Sequence, residues 1–370
     1  MSKVNVWTLP GPSEFLAAVA EDLRCGRSVL LGMSRDAPTG LIEEMKRTLS
    51  PDEAWSWSDW DVRDFESPLD LVWRGLGEPE EIKPESPEVL AAQRGAAGRL
   101  MVVRFVGKAT WPAWTRFLER FERGARAVEY HQRPALVVLL EGEAADLSYA
   151  ADVACARHDW RGVTSQLDVT IVATAHAAGV KEGREHQELR VALVRALACW
   201  DLELAEALAA LPLEALLEPE EALAEFARTR GWSAEACNGS RWSSGRANRV
   251  YGKEVSHSAD PGVPREVIRQ RLWRGQVGVL LPLVEENRRD LIRRSRGYLK
   301  VPWTTDYGEV TDVEALEVGS IFFQLKRHPR ASGTPQLAEA RWLTTVRNEL
   351  AHLRPVTARL LLEDNGRYLR

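Results

Sequence analysis

Three short runs of uninterrupted apolar residues constrain the fold more than any other feature of the chain. They lie in GRSVLLGM, which gives a strand ending at Gly32, in LMVVRFVG at 100–107, and in PALVVLLEGE at 134–143. A strand with one wet face alternates apolar and polar residues. A strand covered on both faces reads as a continuous apolar run, and such strands belong to sheets sandwiched between helices. LDVTIVATAHAAG, at 167–179, reads as a fourth. Apolar residues recur at helical spacing from Pro12 to Leu23 and again through TGLIEEMKRTL, so the order is helix, strand, turn, helix.

The remainder reads as helical. Residues 187–230 are rich in Ala, Leu and Glu and are broken near Pro212 and Pro219, which predicts several short helices. The stretch 236–264 is rich in Gly, Ser, Asn and Pro and lacks periodicity, marking a boundary or a long functional loop. Beyond it come two amphipathic segments divided near Pro282, a third in TDVEALEVGSIFFQLKR, and a fourth in WLTTVRNELAHLRPV, closed by Pro355. The expected organisation is an α/β domain over 1–232 with a helical lid at about 187–232, a linker at 233–263, and an all-α helical-bundle domain over 264–370.

Composition limits the partners. A formal net charge of −5 argues against a protein that coats duplex DNA by bulk electrostatics, although local basic patches exist. RRDLIRRSR at 288–296 is one, and Arg241, Arg246, Arg249 and Lys253 form another; each can meet a phosphate backbone or simply be a solvated face. Cys25, Cys155, Cys199 and Cys237 stand singly, which removes both a zinc signature and a disulfide framework. His158 and His176 have no second ligand at metal spacing, so no metal and no cofactor is expected. With no signal-like N-terminus and no long uncharged apolar stretch, the expected home is the cytoplasm, without membrane contact.

The turn after the first strand lies where a phosphate-binding loop would sit. Laying G-x-x-x-x-G-K-[ST] on GMSRDAPT matches Gly32 and Thr39 but sets Ala37 at the second glycine and Pro38 at the lysine. Pro38 brings neither an ammonium nor a backbone N–H, and Ala37 resists the positive φ that glycine supplies. A plain turn with Pro38 in the first helical turn accounts for the same residues. ALVVLLEGE resembles a Walker B strand with Glu141 or Glu143 at its end, and TIVATAH resembles the following strand of an AAA-like ATPase. Residues 1–232 thus resemble a degenerate P-loop NTPase of the AAA or STAND type. The resemblance implies a weak nucleotide site at Gly32, Thr39 and Glu141, with ATP turnover not expected.

In WLTTVRNELAHLRPV, at about 100° per residue, Leu343, Val346, Leu350 and Leu353 form one stripe that packs inward. Asn348 and His352 are neighbours on the opposite side, and Arg347 lies between the faces with reach toward His352. Here the chain resembles the HEPN domains, helical bundles marked by Arg, four to six residues, then His, often with Asn directly after the Arg. RNELAH fits through Arg347, Asn348 and His352. The resemblance implies metal-independent cleavage of RNA by motifs paired across a homodimer, or a non-catalytic dimerisation or RNA-binding module. Arg347 would hold the phosphate, His352 would move a proton, and Asn348 would orient His352 or the substrate.

Two functions follow as expectations. In one, an antiphage-type protein uses the HEPN-like domain on RNA under control of an inactive NTPase-like domain. In the other, a non-enzymatic adaptor dimerises and docks onto a partner ATPase or nuclease.

Overall fold

The structure, a computed structural model, describes residues 4–49, 55–62, 67–93, 98–150, 153–234, 239–306 and 308–363 of the 370. Cys237 lies outside the described residues. The chain forms two compact units, with Lys3–Asp168 and Trp232–His257 in one, and Val169–Gly231 with Ser258–Arg370 in the other. This division differs from the one composition suggests. The helices of the expected lid cluster with the C-terminal helices, and most of the expected linker folds back into the α/β unit.

In the α/β unit the elements run α1 (Pro10–Arg24), β1 (Ser28–Met33), α2 (Leu41–Thr48), β2 (Ser56–Asp61), α3 (Pro68–Leu76), α4 (Pro87–Ala91), β3 (Arg99–Val106), α5 (Trp111–Ala125), β4 (Ala135–Glu141) and β5 (Cys155–Asp159). The five strands pair in parallel in the order β2-β3-β4-β1-β5. Strand residues divide by parity between two cores. Val29, Leu31, Leu100, Val102, Val137 and Leu139 meet α1 and α2, whereas Leu30, Met101, Val103, Leu136 and Val138 meet α3, α4 and α5. Both faces are covered, which is why these strands carry no polar alternation.

The fourth apolar run is not a strand. Residues 166–177 form α6 (Gln166–Ala177), and the last strand of the sheet is the polar CARHD of β5. Two physical features decide this. Ser165 and Asp168 make a capping box, in which the Asp168 N–H donates to Ser165 Oγ at 3.4 Å and the Ser165 N–H donates to Asp168 Oδ2 at 2.7 Å. Burial then follows a helical period through Val169, Val172, Ala173 and Ala177, with Leu167 and Ile171 exposed. Strand β5 tolerates polar residues because its side chains find partners elsewhere in the fold: Arg157 donates to the Ala145 carbonyl at 2.7 Å, and His158 Nε2 meets Asp22 at 2.7 Å.

The helical unit continues with α7 (Arg184–Ala198), α8 (Leu202–Ala209), α9 (Leu213–Leu217) and α10 (Glu220–Thr229). The expected linker contains an antiparallel hairpin, β6 (Ala247–Val250) and β7 (Lys253–Ser256), which belongs to the α/β unit. There follow α11 (Arg265–Ser295), a short hairpin β8 (Trp303–Thr305) and β9 (Gly308–Val310), α12 (Val318–Arg327) and α13 (Pro335–Ala351), so the described part of 264–370 is mainly helical but not the all-α bundle expected. Helix α11 packs on α7 and α13, and α13 on α12.

Pro282 does not divide α11 into two helices. A proline inside a helix costs about 3 kcal/mol. Leu280 and Val284 flank it, both fully buried, and burying two such side chains contributes about 3–6 kcal/mol, which outweighs the lost backbone bond. No helix among the described residues is long and apolar enough to cross a membrane.

Candidate functional site

The polar edge of α13 is built by the helix end beneath it. Trp342, Leu343, Val346 and Leu350 are buried, while Arg347, Asn348 and His352 are exposed. Leu353 departs from the expected stripe: it is 65% exposed and has a φ of 58°. The helix stops at Ala351 with His352 as its C-cap, so the heptad-like spacing runs one turn too far. The Leu353 N–H donates to the Leu350 carbonyl at 3.2 Å and the Arg354 N–H to that of Glu349 at 2.9 Å. That pair of bonds is a Schellman motif, which needs a left-handed residue where Leu353 stands.

Helix α11 fixes this end from below. Trp273 Nε1 donates to the Leu350 carbonyl at 2.8 Å. Gln276, fully buried, uses its whole amide on Val356, donating to its carbonyl at 2.8 Å and accepting from its N–H at 2.7 Å. The backbone under His352 is thereby held on both sides. Toward the opposite end of α13, Arg294 makes two contacts with the buried Glu339 carboxylate, at 2.6 and 2.8 Å. Arg347 Nη2 donates to Glu317 Oε2 at 3.2 Å. The Asn348 amide and the His352 imidazole make no side-chain hydrogen bond among the described residues, so both remain open to a ligand.

The basic run on α11 is largely spent inside the protein. Arg288 pairs with Glu285 and donates to the carbonyls of Glu314 and Leu316 at 2.8 and 3.0 Å. Arg293 pairs with Asp290, Arg294 with Glu339 and Arg296 with Glu314. These ion pairs favour a neutralised helix face over a phosphate-binding stripe.

The second candidate lies at the C-terminal ends of the parallel strands. Beyond β1 the chain moves to the β2 edge, and beyond β4 it crosses to the opposite edge, so β1 and β4 flank the topological switch point where open parallel sheets bind ligands. Gly32 pairs with Leu140 and Met33 with Glu141, which brings Gly32 and Glu141 to neighbouring strand ends. Thr39 is exposed at the far end of the loop, its carbonyl accepting from Trp7 Nε1 at 3.0 Å. Glu141 is exposed, yet its carboxyl is raised above the ordinary value by desolvation, which Asp61 reinforces and Arg104 opposes.

This crevice is filled by the chain itself. A Cβ on Gly32 would meet Asp159 Oδ1 at 2.1 Å and the Trp242 ring at 3.4 Å, so close packing already accounts for the glycine. The Arg35 N–H, which a phosphate nest would need, donates instead to the Ser243 carbonyl at 3.1 Å, and the Ala37 N–H to Ser34 at 3.0 Å. Asp146 anchors the covering turn, accepting from the Ser240 N–H at 2.9 Å and from Ser243 Oγ at 2.8 Å. Trp242 is 5% exposed, with the Arg161 guanidinium 5.7 Å from its ring centre. Sequence reasoning missed Trp242 because nothing local ties a loop tryptophan to a strand end some two hundred residues earlier.

Among the described residues there is no group of three or more His, Cys, Asp and Glu side chains able to hold a metal ion. His158 is taken by Asp22, and His176 Nδ1 lies 3.3 Å from the Val172 carbonyl. No family model, curated protein or solved structure matches the chain.

Proposed function

We propose that this protein acts on RNA through the Arg347, Asn348 and His352 edge of a HEPN-like helical unit, in an antiphage-type setting. An NTPase-like α/β unit that does not turn over nucleotide controls it. The observation that carries the reading is the α13 terminus: three polar groups stand exposed on a helix end that Trp273, Gln276 and a Schellman motif hold in place. A fixed backbone beneath exposed polar side chains is the first requirement for positioning a phosphate.

In the proposed step Arg347 holds the scissile phosphate and His352 takes the proton of the adjacent 2′-hydroxyl. The freed oxygen attacks phosphorus as the bond to the 5′-oxygen breaks, and that oxygen takes a proton from water or from the imidazolium of a second copy. The products are a 2′,3′-cyclic phosphate and a 5′-hydroxyl.

The parallel sheet and the position of the 32–39 loop support an NTPase-like origin for the other unit. The Trp242 turn over Gly32 supports the absence of turnover, and it equally favours the second reading, a non-enzymatic adaptor that uses this unit as a scaffold. Incubating the full-length protein with single-stranded RNA in EDTA separates the two. Cleavage that falls about 10²–10⁴-fold in His352→Ala and about 10²–10³-fold in Arg347→Ala is expected of the nuclease. Intact RNA, or cleavage indifferent to His352, leaves the adaptor.

A further inference from the structure

The hairpin β6–β7 closes through two residues, Tyr251 and Gly252, because Val250 pairs with Lys253. Both have positive φ, 48° and 76°, as a type I′ turn demands. Glycine takes that conformation freely. Tyrosine does not, since its Cβ crowds the following carbonyl, and Asn, Asp or Gly would sit there at lower cost. Packing does not compensate: Tyr251 is 81% exposed and makes no ring contact or side-chain hydrogen bond among the described residues. A bulky aromatic held in a strained turn and given to solvent points to a contact outside the molecule.

The base beneath the tip is rigid. Asn248 is fully buried, and its Oδ1 accepts from the Gly162 N–H at 2.8 Å and from the Arg249 N–H at 2.7 Å. Glu254 pairs with Arg161 at 3.2 Å. Arg249 and Lys253 are exposed beside the tip, and neither side chain makes an ion pair or hydrogen bond among the described residues. Because adjacent ladder pairs point to opposite faces, the two cations flank Tyr251 from opposite sides of the ribbon. The other two basic residues of this stretch are occupied. Arg246 is buried against the Trp232 ring, and Arg241 donates to Ser256 Oγ at 3.0 Å.

We propose that this tip is a binding site for single-stranded nucleic acid, in which an unpaired base stacks on the Tyr251 ring while neighbouring phosphates meet Arg249 and Lys253. A lone phenol between two cations offers a π-face and charge, which suits an anionic strand of aromatic bases. It stands alone rather than within the well-packed cluster of anchors that a protein hot spot forms, and it offers too little apolar area for insertion into a lipid surface. The site is independent of the Arg347 edge and stands whether or not that edge cleaves.

The test is fluorescence anisotropy of a labelled, mixed-sequence single-stranded RNA with the full-length protein, in EDTA and in a His352→Ala background that leaves the RNA intact. Tyr251→Asn is expected to weaken binding about tenfold, within the range of one lost stacking contact. Tyr251→Phe keeps the ring and stays within about twofold of the parent. Arg249→Ala with Lys253→Ala weakens binding and flattens its salt dependence. Because asparagine suits the turn, Tyr251→Asn also melts at or above the parent temperature, which separates lost contact from lost fold. RNA affinity unchanged in Tyr251→Asn, or equally weakened in Tyr251→Phe, overturns the proposal, as does the absence of RNA binding by the parent.

Discussion

The indole of Trp242 lies over Gly32, 3.4 Å from where a Cβ on that glycine would stand. A glycine that in another chain would let a phosphate approach here lets a carboxylate and a tryptophan approach. The end of β1 is closed by residues from the far side of the helical insertion, and the crevice at the switch point is part of the core.

That packing predicts a contrast between two variants. Trp242→Ala empties a buried site and is expected to cost about 3–5 kcal/mol. Trp242→Phe removes an indole N–H that has no hydrogen-bond partner among the described residues, and is expected to cost less than about 2 kcal/mol. Urea midpoints of the full-length variants measure both, and a neutral Trp242→Ala would show that the turn does not seal the crevice.

Glu317 competes with any anion for Arg347. Both side chains are largely exposed, so the pair adds less than about 1 kcal/mol to stability. Glu317→Gln is therefore expected to leave the melting temperature unchanged while raising RNA affinity or cleavage a few-fold. Equal activity in the two proteins would mean that the ion pair is broken whenever substrate binds.

Leu353 occupies a left-handed position that glycine fills without strain. Leu353→Gly is expected to stabilise the free protein by about 0.5–1 kcal/mol, read by thermal melting. If a second copy covers Leu353, the same variant weakens self-association in sedimentation experiments, so stability and assembly move in opposite directions.

Two carboxyls, one on α4 and one on α5, predict opposite pH signatures. Arg120 holds Glu88 well below the ordinary range, at about 2, through a contact at 2.9 Å. A depressed carboxyl stabilises the fold above its unfolded value near 4.5, and that contribution disappears as the pH falls toward about 2. Glu122 is buried, and burial raises its carboxyl despite the hydrogen bond from Tyr149. Its penalty is absent well below pH 4.5 and grows as the pH rises through that value. Melting curves should show Arg120→Ala destabilised at neutral pH but not near pH 2, and Glu122→Gln stabilised by a few degrees at neutral pH but not at acid pH.

By itself the sequence determined the three central strands, the helices on either side of the first of them, the predominantly helical character of the later chain, and the exposed Arg347, Asn348 and His352. Each rests on neighbours within a turn or a strand, where periodicity is a direct record of burial. Only the tertiary structure decided the rest. An apolar run such as 167–179 is equally good as strand or helix by periodicity; the Ser165–Asp168 cap that favours helix is local, but its burial and the hydrogen bond that Asp168 also accepts from the Gly11 N–H come from the fold, and β5 is legible only through the partners that hold Arg157 and His158. The end of α13 depended on a left-handed Leu353, which helical spacing cannot foresee. The Trp242 turn closes its crevice through contacts between residues far apart in the chain, and no local pattern records which distant side chain will fill a given space.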